Sequence, residues 1–195
     1  MDRRKFALAA LAAAFGGIVT TAKADYYDPK LNKFVKGDRP KGGGGRRGSS
    51  IPKEVVDYET KAKVGSIIVE TGERRLYFVM ADGKAMKYGI GVGRDGFTWS
   101  GQHRITRKAE WPGWTPPPAM RQRVPDLPAY MPGGPQNPLG ARALYIGSTL
   151  YRIHGTSEPW TIGQAVSSGC IRLTNDDVID LYDRVAVGAL VTVNH

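Results

Sequence analysis

The chain has 195 residues, one cysteine, three histidines and a formal net charge of +10. A single cysteine excludes an internal disulfide, and scattered histidines without a second thiol offer no metal-ligand spacing, so no metal and no cofactor are expected. The basic balance suits an anionic environment, and the N-terminus argues that this environment is an envelope and that nucleic acid is not a partner.

Arg3, Arg4 and Lys5 precede an apolar run over residues 6–19, and Ala22-Lys23-Ala24 forms a small-x-small cleavage site. This pattern predicts a signal peptide over residues 1–24, and hence export to the periplasm or cell wall. The run is about 14 residues long against the roughly 20 that span a bilayer, so the mature protein is expected not to be membrane-spanning. Arg3-Arg4-Lys5-Phe6 also resembles a twin-arginine signal, with general secretion as the alternative. Cleavage removes four cations (Arg3, Arg4, Lys5, Lys23) and Asp2, which takes the formal charge from +10 to +7.

Residues 25–64 are poor in apolar side chains and contain Lys-Gly-Gly-Gly-Gly-Arg-Arg-Gly at 41–48. Such a stretch buries too little surface to offset its ordering entropy, and it reads as a flexible basic linker. Residues 65–195 then read as one compact domain, within the usual size of a single hydrophobic core. Segments 66–69 and 75–79 are rich in β-branched and aromatic residues, and Asp82-Gly83 turns the chain into a third strand over 85–91. A further short strand is expected over 102–106. Between Pro112 and Pro138, nine prolines predict a long segment without regular structure, of a length that suggests a functional loop. Strands resume over 143–146 and 150–154, followed by a turn or short helix over 160–166. Thr174 with Asp177 three residues later resembles a capping box, and Val178, Leu181, Tyr182 and Val185 recur on one helical face. Gly188 stops that helix, and residues 189–193 supply a last strand.

The chemistry falls between these elements. His154 closes a predicted strand, and Cys170 stands sixteen positions later within Ser167-Ser168-Gly169-Cys170-Ile171-Arg172. An ordinary thiol is a few per cent thiolate at neutral pH, so a nearby imidazole that accepts its proton, or pairs with it as imidazolium, makes it a better nucleophile. The carbonyl of Gly155 or a neighbouring hydroxyl is a candidate to fix the imidazole tautomer. Gly169 admits a backbone conformation that aims the amides of Gly169 and Cys170 at an oxyanion, and Arg172 offers a planar fork to a carboxylate. Separately, a buried Cys beside Ile is a small hydrophobe and a lone His is structural. Their conjunction in an exported chain points to catalysis.

Other residues weigh less. His103 reads as a satisfied strand residue and His195 as a frayed terminus, while Asp176, Asp177 and Asp180 suit the first turns of a helix. Trp99, Trp111, Trp114 and Trp160 read first as core residues, with Trp111 and Trp114 the better candidates for stacking on a glycan.

Over residues 65–193 the sequence resembles the L,D-transpeptidases with a YkuD-type catalytic domain. The resemblance is carried by Gly91-Val92-Gly93, Trp111-Pro112-Gly113-Trp114, Asn137-Pro138-Leu139-Gly140, Tyr151-Arg152-Ile153-His154-Gly155-Thr156 and, most specifically, residues 167–173. It implies a mainly β sandwich or barrel with one or two short helices. It further implies Cys170 as nucleophile and His154 as general base and acid, with Gly155, Ser168, Gly169, Cys170 and Arg172 at the oxyanion and substrate site. Ser168 stands where many members carry a second His, so that position supplies no imidazole here. The implied reaction is acyl transfer from a peptidoglycan stem tetrapeptide, with release of D-Ala, through a thioester to an amine. The acceptor amine belongs to a second stem peptide or a lipoprotein Lys, and water makes the enzyme a carboxypeptidase. A noncatalytic envelope-binding module is the alternative from another class.

Overall fold

The computed structural model describes residues 26–28, 33–35 and 51–195. The expected signal peptide and the Gly-rich stretch at 41–48 lie outside the described residues. Strands β1 (Tyr26–Asp28) and β2 (Lys33–Val35) pair antiparallel. The chain continues through β3 (Glu54–Asp57), β4 (Ile67–Glu70), β5 (Arg75–Val79), β6 (Lys84–Gly89), β7 (Val92–Gly93) and β8 (Gly101–Glu110). Helix α1 (Pro118–Arg123), β9 (Arg142–Ile146), β10 (Arg152–His154), β11 (Ala165–Ser167), β12 (Ile171–Arg172), α2 (Asn175–Arg184) and β13 (Leu190–Asn194) complete it.

Nine strands form one mixed sheet in the order β12-β10-β9-β8-β13-β4-β5-β6-β3, and β7 pairs with β11 in a second, parallel ribbon. The mainly β expectation holds. The large sheet curls back on itself, because Gly91, just past β6, exchanges N–H···O bonds of 2.8 and 2.9 Å with Arg172 of β12. Ile67, Leu76, Tyr88, Ile105, Leu144, Ile153, Ile171 and Val191 therefore meet in one core, closed by Val178 and Leu181 of α2. That helix starts as its sequence suggests, with Thr174 Oγ1 accepting the Asp177 N–H at 3.1 Å.

Three differences from the sequence reading have physical causes. Glu54–Asp57, inside the expected linker, adds to the sheet edge by backbone pairing with β6, and its charged ends (Glu54, Asp57) hide its two valines from a composition reading. Strand β8 runs on to Glu110 because its second half, Arg107-Lys108-Ala109-Glu110, is held by the β9 backbone after a register shift, without any apolar alternation of its own. The proline-rich segment is not devoid of regular structure, since Pro118 occupies the first turn of α1, where a missing N–H costs no hydrogen bond. Around α1 a second small core gathers Trp114, Val124, Leu127 and Leu139.

Candidate active site

The spacing of His154 and Cys170 follows from a parallel pairing. Strands β10 and β12 lie side by side with Ile153 opposite Ile171 and His154 opposite Arg172. Parallel neighbours require a crossover of a dozen or more residues, which the intervening turn of 3-10 helix (Pro159–Thr161) and β11 provide. Ile153 and Ile171 point into the core. Alternation then turns Arg152, His154, Arg172 and the adjoining Cys170 to the other face. Strand spacings place the Cα atoms of His154 and Cys170 roughly 8 Å apart, within the combined reach of an imidazole and a thiol.

The loop bearing the thiol is held from several sides. Ser167 Oγ donates to the Cys170 carbonyl at 2.6 Å and accepts the Gly169 N–H at 3.2 Å. Trp99 Nε1 donates to the Gly169 carbonyl at 2.8 Å, and its ring stacks on Tyr151 with centroids 4.5 Å apart. Gly169 has φ +101°, and a Cβ there would lie 2.5 Å from Tyr151 Cε1, so glycine is required on both counts. The thiol itself faces the Leu150 carbonyl at 3.9 Å. The Gly169 amide, expected as one of two oxyanion donors, is already engaged by Ser167 Oγ.

His154 is buried, and its Nδ1 lies 2.6 Å from the Gly155 carbonyl oxygen. A carbonyl only accepts, so Nδ1 carries the proton and Nε2 is the basic nitrogen. Burial, and next the Arg172 charge, push the imidazole down to about 3, against the opposing pull of the Gly155 and Leu139 carbonyls. Burial also raises the Cys170 thiol, with Arg152 acting in the opposite direction. Both groups are therefore neutral at rest, which favours proton transfer during attack over a standing imidazolium–thiolate pair.

Two expected ligand-facing residues are placed differently. Arg172 does not present a free fork, because Nη2 binds Glu158 Oε2 at 3.0 Å and Thr156 Oγ1 at 2.7 Å, all three residues being buried. Gly155 does not line the cavity; a Cβ there would strike Asn175 Oδ1 at 2.3 Å, and its work is to orient His154. Sequence reasoning missed Glu158, Thr156 and the tethering role of Trp99. Only the charge of Glu158, close behind His154-Gly155-Thr156, hinted at a buried partner.

Cys170, His154, Ser168 and Arg172 line one cavity of about 370 Å³. Its far wall comes from the proline-rich segment through Trp114, Pro117, Met120, Arg123 and Leu139, so that segment does contribute to the site. Trp114 is buried in the small core while it lines this wall, whereas Trp111 is exposed and stands outside it. His103 sits in β8 against the edge of Trp99, away from the cavity. Among the described residues no cluster of three His, Cys, Asp or Glu side chains is placed to hold a metal, and no helix is long and apolar enough to cross a membrane.

The model of the L,D-transpeptidase catalytic domain, YkuD, matches residues 65–193. The chain belongs to this family. Among curated L,D-transpeptidase relatives, the probable L,D-transpeptidase ErfK/SrfK of Escherichia coli is 42% identical over 153 residues, covering 74% of this chain and 48% of that protein. The chain thus spans about half the length of that curated relative. A Brucella melitensis structure titled a probable carnitine operon oxidoreductase is 42% identical, covers 72% of this chain and 91% of its own, and superposes with a TM-score of 0.51. L,D-transpeptidase 3 from Mycobacterium tuberculosis shares the fold at a TM-score of 0.52 and 17% identity, covering 68% of this chain and 61% of that one.

Proposed function

We propose that the chain is a peptidoglycan L,D-transpeptidase in which Cys170 is the nucleophile and His154 the general base and then acid. The observation that supports this reading is that the two side chains line one cavity while Nδ1 of His154 is tied to the Gly155 carbonyl, which makes Nε2 the nitrogen that can accept a proton. Sγ attacks the carbonyl between the third stem residue, diaminopimelate, and the terminal D-Ala as Nε2 takes the thiol proton. The Cys170 amide faces the developing oxyanion. Collapse breaks the C–N bond, the imidazolium protonates the departing D-Ala amine, and a thioester remains. An acceptor amine then forms the new amide and expels the thiolate, which is reprotonated.

A second stem peptide as acceptor gives a 3,3 cross-link, a lipoprotein Lys gives wall-anchored lipoprotein, and water gives carboxypeptidase activity. Residues 1–24 would direct export to the periplasm or wall, and the Gly-rich stretch that follows would act as a flexible spacer. Incubating the purified protein with peptidoglycan and mapping muropeptide masses tests the reading. Cross-linked dimer, tripeptide or protein-linked peptide separates the acceptors, and tetrapeptides left intact with no D-Ala released would refute acyl transfer.

A further inference from the structure

The cavity beside Cys170 is lined by four arginines, Arg94, Arg123, Arg152 and Arg172, and by no aspartate or glutamate. Arg172 is balanced by Glu158. The other three make no ion pair among the described residues. They reach the cavity from three separate elements. Arg94 follows β7, and its N–H donates to the Ser167 carbonyl at 3.1 Å, which fixes it beside the thiol loop. Arg123 comes from the last turn of α1 on the opposite wall. Both guanidinium carbons lie against the Phe97 ring, at 4.7 and 5.4 Å from its centroid. Arg152 stands two residues before His154 on β10, with its guanidinium carbon 5.2 Å from the Tyr145 ring centroid and its side chain hydrogen-bonded to Cys170, while its Nε is buried without a hydrogen-bond partner.

Three like charges around one small cavity repel one another, and a buried N–H without an acceptor is costly unless an occupant satisfies it. A planar guanidinium matches a carboxylate in shape, charge and donor spacing. We propose that Arg94, Arg123 and Arg152 form a carboxylate-reading site that selects an acyl-donor peptide bearing more than one free carboxylate. Arg152, on the strand of His154, meets the terminal carboxylate of the leaving residue. Arg94 and Arg123, joined across Phe97, meet a side-chain carboxylate farther along the peptide. This rests on the acyl-transfer reading of Cys170 and adds which residues choose the donor.

The test is a calorimetric titration of Cys170→Ala protein with three synthetic tetrapeptides: both carboxylates free, the C-terminus amidated, or the side-chain carboxylate amidated. The free peptide is expected to bind about 10- to 100-fold more tightly than either amide, as for loss of one charge-assisted contact. Adding Arg152→Gln should abolish the discrimination at the C-terminus alone. Adding Arg94→Gln with Arg123→Gln should abolish it at the side chain alone. Equal affinities for the three peptides, or variants that weaken all three by one factor, would overturn the site. The two readings fail separately, because this titration uses protein without the thiol, whereas D-Ala release by the unsubstituted protein reports acyl transfer.

Discussion

Nδ1 of His154 lies 2.6 Å from the carbonyl oxygen of Gly155, its own neighbour in sequence. The backbone therefore does the orienting that a Ser-His-Asp triad assigns to a third side chain, and it does so without placing a carboxylate beside the imidazole. With no such charge to favour the imidazolium, burial and the Arg172 charge keep the ring neutral.

The first consequence concerns pH. With the imidazole down to about 3 and the thiol raised, the neutral pair persists through the neutral range. The single-turnover acylation rate is expected to stay within about threefold between about pH 5 and pH 8. A rise of about tenfold per pH unit, measured by stopped-flow, would instead identify a small population of free thiolate as the attacking species.

Stability should respond to acid with a definite sign. The folded imidazole is depressed below its unfolded value of roughly 6.5, so the unfolded chain binds the extra proton. Its contribution is full above that value and is lost as pH falls toward about 3. Urea unfolding from about pH 7 to pH 4 should show a shallower loss of stability for His154→Asn than for the unsubstituted chain.

Glu158→Ala leaves the Arg172 guanidinium buried without its counter-charge. Removing one member of a buried pair costs about 3–5 kcal/mol, and denaturant unfolding should show a loss of that order. Glu158→Gln keeps an acceptor for Nη2 and should lose less. Equal stability of Glu158→Ala and the unsubstituted chain would mean that solvent reaches the pair.

Gly169→Ala introduces a Cβ 2.5 Å from Tyr151 Cε1 at a backbone φ of +101°. The thiol loop must shift, and a displacement of about 1 Å at a nucleophile costs on the order of 100-fold in turnover. D-Ala release should fall by that order while far-UV circular dichroism is unchanged. Undiminished release would show that the loop tolerates the shift.

What the sequence discloses and what it hides divide along physical lines. Strand β5 (Arg75–Val79) matches the expected segment because its β-branched and aromatic residues carry the signal locally. The Thr174 cap is legible for the same reason, since Thr174 and Asp177 meet within one turn. Cys170, His154 and Gly169 stand out through residue type and spacing. Glu158 and Trp99 do not, because their roles depend on which residues distant in sequence fold against them: Trp99 meets Gly169 across seventy positions. Helix α1 escapes a count of prolines because Pro118 sits in its first turn, where the missing N–H costs no hydrogen bond.

The central claim is that Cys170 is an accessible nucleophile served by His154, and covalent capture tests it most directly. A carbapenem presents a strained acyl group that an activated thiol opens, so intact-protein mass spectrometry should show one added carbapenem mass, mapped to Cys170 by peptide digestion. The adduct should be absent from Cys170→Ala and should form at least about 100-fold more slowly in His154→Ala, the lower end of what a positioned general base contributes. An unsubstituted protein that stays unmodified, or an adduct that survives in Cys170→Ala, would contradict the account.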